Sequence, residues 1–257
     1  MSNAPYNHQQ EGYIFITGGT GFLGQTFIEK MIQNQSFGGI YVLAKEQVSP
    51  SRSAFERIRA IVERIAAEND YRISCKNDST TVACTGTRHI PVIAISGDIT
   101  QENLGVSEHH DFGQVTHICH MAALTDIAGA EEAFEEINVQ GTANTLEFAR
   151  RHFSNLEIFG YIGTAYDVYT GEEFHQTETT PPEPSEFVNE YSKSKWIARK
   201  LVRESGLPHC IFLPGIITGH SNGHLPENIP LGVIYGPTQA LAFLKIVVEG
   251  HYTDAPH

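Results

Sequence analysis

Tyr191 and Lys195 stand four residues apart in Asn189-Glu190-Tyr191-Ser192-Lys193-Ser194-Lys195-Trp196, and on a helix that spacing puts both side chains on one face. A phenol and an ammonium so placed can do acid–base work. A tyrosine of pKa ~10 is a poor acid–base catalyst at neutral pH, but an ammonium ~6 Å away at an effective dielectric of ~20 favours the phenolate by roughly 3 kcal/mol, or two pKa units. Thr164, in Gly163-Thr164-Ala165-Tyr166, brings a hydroxyl that can reach the same substrate oxygen and help polarise a carbonyl. A lone Tyr-x-x-x-Lys is more often a surface helix pair, so the reading depends on the elements around it.

About 170 residues upstream lies Gly12–Gly24, Gly-Tyr-Ile-Phe-Ile-Thr-Gly-Gly-Thr-Gly-Phe-Leu-Gly. Tyr13–Thr17 is aromatic and β-branched like a buried strand, and Phe22, Leu23, Phe27, Ile28, Met31 and Ile32 recur near helical spacing. The glycines thus fall at a strand-to-helix junction. There the backbone turns tightly, approaches a pyrophosphate without Cβ atoms in the way and offers helix N-terminal N–H groups to the anion. Both Gly19-x-Gly21-x-x-Gly24 and Gly18-x-x-Gly21-x-x-Gly24 fit. Thr17, Gly18, Gly19, Thr20, Gly21, Phe22, Leu23 and Gly24 are the candidate cradle of a dinucleotide.

Gly39–Ala44 predicts a second strand, and Lys45 follows it. An acid at that place would bind the ribose 2′-hydroxyl of NAD, whereas a cation can neutralise the 2′-phosphate of NADP. Lys45 favours NADP; Glu46, as the acid displaced by one place, keeps NAD open. Arg52 and Arg57 are further candidate phosphate contacts, with a solvated helix face as the equal alternative. Ser51–Asn69 has the pattern of an amphipathic helix, and the polar stretch Tyr71–His89 that of a surface excursion. Ile90–Ser96 predicts a third strand, ending in Gly97-Asp98-Ile99, where Asp98 either meets the adenine or caps the next turn.

Gln114–Met121 predicts a fourth strand, followed by Ala122-Ala123, small enough for the backbone to pass close to a cofactor. Ala130–His152 predicts one long helix in which Asn138 is a buried polar group bonded to a neighbouring strand. Glu157–Ile162 predicts strand five, delivering Thr164 to the carboxyl edge of the sheet, where ligands sit in open α/β folds. An acidic, Pro-rich loop, Asp167–Ser185, precedes a helix over Glu186–Ser205; His209–Leu213 predicts strand six, and Thr238–Glu249 a final helix. The alternation predicts an α/β fold, a doubly wound, mostly parallel Rossmann sheet with helices on both faces, over residues 11–257 after a flexible 1–10.

The 257 residues carry 17 Lys plus Arg against 30 Asp plus Glu, a formal −13, which excludes a nucleic-acid footprint or a polybasic membrane surface. No apolar run is long enough to span a membrane and no leader pattern opens the chain, so a cytoplasmic protein is expected. Cys75, Cys84, Cys119 and Cys210 lack Cys-x-x-Cys spacing, and neither His109-His110 nor His117-x-x-His120 matches a metal-ligand pattern, so no metal is expected.

The chain resembles the extended short-chain dehydrogenase/reductases. Within that superfamily it is most similar to the thioester reductase and fatty acyl-CoA reductase branch, with its male-sterility-type NAD-binding domain. The residues are Thr17–Gly24, Gly97-Asp98-Ile99-Thr100 with Leu104-Gly105-Val106-Ser107, His120-Met121-Ala122-Ala123 and Asn138-Val139-Gln140-Gly141-Thr142. They continue with Gly163-Thr164-Ala165-Tyr166, Tyr191–Trp196 and Pro214-Gly215-Ile216-Ile217-Thr218-Gly219, in family order. The resemblance implies that NADPH delivers hydride to a thioester carbonyl on CoA or on an acyl or peptidyl carrier protein, releasing an aldehyde that can be reduced again to an alcohol. It implies that Thr164 and Tyr191 bind the oxygen, that Tyr191 supplies the proton, and that Lys195 holds the ribose and lowers the tyrosine pKa. Asp98, Ile99, Met121, Ala122, Ala123, Asn138, Pro214, Gly215 and Ile216 join the cofactor set on the same ground. The family often has Arg at the positions of Leu213 and Lys45 and Glu at that of Arg199. Its members also continue for on the order of a hundred residues that build most of the substrate lobe, so a fragment or a shortened form is expected here. The alternatives are an NAD-dependent nucleotide-sugar epimerase or dehydrogenase, a steroid-type alcohol dehydrogenase, and a non-catalytic dinucleotide-binding module.

Overall fold

The computed structural model describes residues 12–85, 88–107, 110–126, 129–167 and 187–217. In chain order the elements are β1 (Tyr13–Thr17), α1 (Phe22–Asn34), β2 (Gly39–Ala44), β3 (Gln47–Val48), β4 (Ser51–Arg52) and α2 (Ala54–Glu68). Then come β5 (Arg72–Asn77), β6 (Thr80–Thr85), β7 (Arg88–Ser96), a 3₁₀ turn (Glu102–Gly105) and β8 (Val115–His120). Next, α3 (Glu131–Phe134) runs through a π-helical stretch (Glu135–Gln140) into α4 (Gly141–His152). Finally come β9 (Ile158–Ile162), α5 (Glu190–Glu204) and β10 (His209–Phe212). These elements form one compact unit that runs to Gly215. Most of the predicted Asp167–Ser185 loop, the predicted helix Thr238–Glu249, the N-terminal ten residues, Thr218 and Gly219 lie outside the described residues.

Eight strands make one sheet in the order β10-β9-β8-β1-β2-β7-β6-β5. The six from β10 to β7 run parallel, and β6 and β5 add an antiparallel edge. The chain leaves β1 toward β2 on one side and returns as β8 on the other, so the strand order reverses between β1 and β8. Ligands of doubly wound sheets bind in the crevice at that reversal. Alternation along β1 divides the core: Ile14 and Ile16 face the helices α1 and α2 with Ile28, Ile32, Ile58, Val62 and Ile65, while Phe15 faces the opposite layer with Phe112, Phe148, Phe159 and Val202.

Two predicted elements differ. The helix expected over Ser51–Asn69 begins at Ala54, because Ser51 and Arg52 pair with Gln47 and Val48 and it is Ser53 that closes a capping box with Glu56. The stretch expected to be a surface excursion, Tyr71–His89, holds β5, β6 and the start of β7. The inward residues of β6 are Thr81, Ala83 and Thr85, which are buried although two are polar. β-Branched Thr fits a pleated strand although its hydroxyl reads as polar, and the Thr81 hydroxyl is buried without a hydrogen-bond partner among the described residues, so hydropathy alone missed the strand. In the turn, Asn77 Oδ1 accepts the Ser79 N–H at 3.0 Å.

Candidate active site

The glycine turn packs onto the strand-order reversal. Gly18 adopts φ +73°, and a Cβ there would lie 2.5 Å from the Ala122 nitrogen. At Gly24 a Cβ would meet the Gly18 carbonyl oxygen at 2.2 Å, so α1 sits directly on the turn. Gly19 packs on Val42 and Ile28, a structural role. A Cβ at Gly21, the N-cap of α1, would meet only the Gly18 oxygen, at 3.3 Å, and no side chain caps the helix. The first-turn N–H groups at Phe22, Leu23 and Gly24 are therefore available to an anion. The turn fits the pyrophosphate of a dinucleotide.

At the end of β2, Lys45 Nζ lies 2.8 Å from Asp98 Oδ2. Asp98 also accepts the Thr100 N–H at 2.9 Å, which is the turn-capping role. Arg57 donates to the Lys45 carbonyl and, at 3.2 Å, to the Thr20 hydroxyl, so its guanidinium ties the glycine turn to the β2 terminus. Arg52 is exposed on β4, acts on Glu56, and is not brought to Lys45 by any described contact. Ile99 is buried against Gly141, in the core layer rather than at an open surface.

Thr17 turns away from the cradle. Its hydroxyl lies 2.7 Å from His120 Nδ1 and accepts the Ala122 N–H at 3.3 Å, while His120 Nε2 lies 3.0 Å from the Thr142 hydroxyl, which donates to the Asn138 carbonyl at 2.6 Å. Thr142 has spent its proton, so His120 Nε2 must donate to it and Nδ1 must accept from Thr17. Burial, with the Lys195 charge adding to it, lowers the His120 pKa to about 3. The ring stays neutral, stacked on Tyr161 at 5.9 Å.

Asn138 lies within the π-helical stretch, whose extra residue per turn redirects the side chain inward. Its Oδ1 accepts the Leu124 N–H at 2.7 Å, and its Nδ2 donates to the Leu124 carbonyl at 3.1 Å and to Ser194 Oγ at 2.9 Å. Ser194 in turn donates to the Tyr191 carbonyl at 2.8 Å. The partner is thus the segment leaving β8, not a strand as expected. Asn138 clamps that segment, which carries Met121, Ala122 and Ala123, to the helix that carries Tyr191.

Asn189 caps α5 by accepting the Ser192 N–H at 2.8 Å, and the helix presents Tyr191, Lys195 and Arg199 one turn apart. Opposite them is the exit of β9. Thr164, buried, hydrogen-bonds the Tyr191 side chain. Lys195, buried, donates to the Ile162 carbonyl at 2.6 Å and lies 4.6 Å above the Tyr161 ring. Pro214 accepts the Ala165 N–H at 2.9 Å; Gly215 ends the unit, and Ile216 begins the next one, half exposed.

The electrostatics correct one expectation. The Tyr191 pKa is raised, not lowered: burial outweighs the Thr164 bond, and the Asp167 charge adds to the rise. Spacing alone counted the Lys195 ammonium and left out desolvation, which also lowers Lys195 itself to about 7. At neutral pH the phenol keeps its proton.

A model of the NAD-binding family described as male sterility protein matches residues 16–250. The chain belongs to this family. It is 26% identical over 228 residues to a non-canonical nonribosomal peptide synthetase, cpsA, of Aspergillus campestris, covering 82% of this chain and 20% of that protein. It is also 26% identical over 230 residues to the fatty acyl-CoA reductase wat of Drosophila melanogaster, covering 79% of this chain and 42% of that one. Among solved structures it is similar to the terminal R domain of the myxalamid PKS-NRPS pathway, with TM-score 0.63 and 29% identity over 84% of this chain and 51% of that. It is likewise similar to a thiolation-reductase di-domain of an archaeal nonribosomal peptide synthetase, with TM-score 0.64 and 25% identity over 92% of this chain and 59% of that. The chain thus spans between a fifth and three fifths of the length of each of these relatives. The fold is that of an extended short-chain dehydrogenase/reductase, and the family is one of NAD(P)-binding reductases. Among the described residues no helix is long and apolar enough to cross a membrane.

Two site residues went unrecognised in the sequence. Asp167 and Arg199 are buried, with Arg199 Nε 3.1 Å from Asp167 Oδ2. The available signal was Arg199's place one turn after Lys195 and Asp167's place three residues after Thr164.

Proposed function

We propose that this chain reduces an acyl thioester, carried on CoA or on an acyl or peptidyl carrier protein, to the aldehyde or onward to the alcohol, with NADPH as the reductant. The observation that carries the reading is the Thr164–Tyr191 hydrogen bond at the carboxyl edge of β9, with Tyr191 held as a phenol. The nicotinamide cofactor, when bound, supplies the hydride. Tyr191 donates the proton to the substrate oxygen, Thr164 donates a second hydrogen bond to it, and Lys195 holds the ribose; the hemithioacetal so formed then breaks its C–S bond, its hydroxyl proton passing to the departing sulfur, to release the aldehyde and the thiol of CoA or the carrier. Lys45 and Arg57 at the end of β2 support the 2′-phosphorylated cofactor, and the relatives named for nonribosomal peptide synthesis and for fatty acyl-CoA reduction support the thioester. The test is NADPH oxidation by the purified chain with acyl-CoA and acyl-carrier thioesters of graded length. No turnover on any of them, with NADPH binding intact, would overturn the proposal.

A further inference from the structure

Beneath Tyr191 and Lys195 lies a buried ion pair that the acid–base scheme does not use. Asp167 is fully buried at the end of the β9 exit turn, and Arg199 is buried one helical turn beyond Lys195, Nε to Oδ2 3.1 Å. An isolated charge this deep would be expelled or neutralised, so each holds the other in place. Arg199 reaches the pair from the ladder Tyr191, Lys195, Arg199, and Asp167 closes the turn that begins at Thr164, with Asp167 N–H toward the Thr164 carbonyl at 3.5 Å. The carboxylate thus lies between the two segments that carry the proton donor and its lysine, held by the ion pair, with neither of its oxygens hydrogen-bonded among the described residues.

We propose that Asp167, anchored by Arg199, is a positioning residue that keeps the proton on both Tyr191 and Lys195, and so extends the reductive direction of the site to higher pH. This rests on the reductase reading above. The groups that face Asp167 are Arg199 and Lys195, which hold its carboxyl down against burial, and Tyr161 and Tyr191, whose phenols its charge raises. Lys195 also faces His120, and Arg199 also faces Arg203 and Tyr161. Burial lowers Lys195, and the Asp167 charge opposes that fall. Arg199 pairs with Asp167 at 3.1 Å, so the cation serves to hold the carboxylate, and the Asp167 charge acts on Lys195. A carbonyl reduction consumes one proton at the substrate oxygen, drawn from the Tyr191 phenol, and a negative charge beside that phenol opposes its premature loss to solvent.

The test compares wild type with Asp167→Asn and with the neutral pair D167N/R199Q, which leaves no unpaired buried charge should the single variant fail to fold. The Lys195 titration is followed by NMR of labelled lysine, assigned with Lys195→Arg, and the alkaline limb of NADPH oxidation is followed alongside it. Loss of the anion moves the Lys195 midpoint and the alkaline limb about one unit lower, roughly a fivefold fall in the ratio of rates at about pH 8 and about pH 6. Asp167→Glu, keeping the charge, restores most of that ratio. An unmoved Lys195 midpoint in the neutral pair, or a rate lowered equally at every pH, overturns the inference and leaves the pair structural. Should the wild type oxidise no NADPH, the thioester reading fails, and the Lys195 titration still decides the role of Asp167.

Discussion

Acidification should destabilise this protein through His120, by an amount the structure sets. The ring is 1% exposed and sits in a directional chain: Ala122 N–H to Thr17, Thr17 O–H to Nδ1, Nε2–H to Thr142, Thr142 O–H to the Asn138 carbonyl. A second ring proton has no acceptor there and faces the Lys195 charge, so the folded pKa falls from 6.5 to about 3. A folded pKa below the unfolded value means that the unfolded chain takes up the proton first, so stability is lost as pH falls from about 6.5 toward 3. Between about pH 7 and about pH 4 the loss is about 2.5 pKa units, or about 3 kcal/mol. Asp167 works with the opposite sign: its carboxyl is raised by burial to about 6, so the folded state gains protons ahead of the unfolded one as pH falls. Net stability alone would blur the two, and a variant difference separates them. Urea unfolding followed by the fluorescence of the single tryptophan, Trp196, is measured at both pH values for wild type and His120→Gln, which preserves one donor and one acceptor. Wild type should lose about 3 kcal/mol more than the variant over that interval, while the Asp167 contribution cancels. Equal losses would refute the neutral, doubly bonded histidine.

Three further outcomes are expected. Tyr191→Phe removes the phenolic proton but little volume, and should lower kcat by about 10²–10⁴-fold with NADPH affinity unchanged, as read by steady-state rates and a fluorescence titration. The pair Lys45→Ala with Arg57→Ala should weaken NADPH binding by about 10–100-fold and leave NADH binding nearly unaltered, as expected for the loss of one or two charged hydrogen bonds to a phosphate; equal weakening of both cofactors would point to damage of the Thr20 turn instead. Gly24→Ala puts a Cβ 2.2 Å from the Gly18 carbonyl oxygen, a backbone atom that cannot rotate away. It should cost about 1–3 kcal/mol in thermal unfolding and abolish cofactor binding together with it.

The parts of the fold and of the site that were legible in the chain are those whose physics is local. Tyr13–Thr17 announces a buried strand by composition, Gly18–Gly24 a tight turn by the absence of Cβ atoms, and Tyr191 and Lys195 a shared face by their spacing. The parts that were not legible depend on what distant segments bring. β6 buries Thr81 and Thr85, so its inward face reads as polar until β7 and β5 are paired on either side of it. The break in the helix over 131–152 is invisible to periodicity, because the π-helical stretch shifts the register by one residue just where Asn138 is needed inward. Asp167 and Arg199 look like a loop acid and a helix cation, and nothing short of the β9–α5 contact makes them a buried pair. Tyr191 is the most instructive case, since the spacing with Lys195 argued for a lowered pKa and the burial that only the fold supplies reverses its sign. That reversal changes what the tyrosine is suited to do. A lowered phenol would serve best as a base drawing a proton from an alcohol, whereas a raised one retains its proton at neutral pH until a developing oxyanion beside Thr164 takes it. Burial thus leaves Tyr191 protonated at neutral pH, and because it also makes the phenol a weaker acid, proton transfer falls to the moment when the oxyanion beside Thr164 becomes the stronger base.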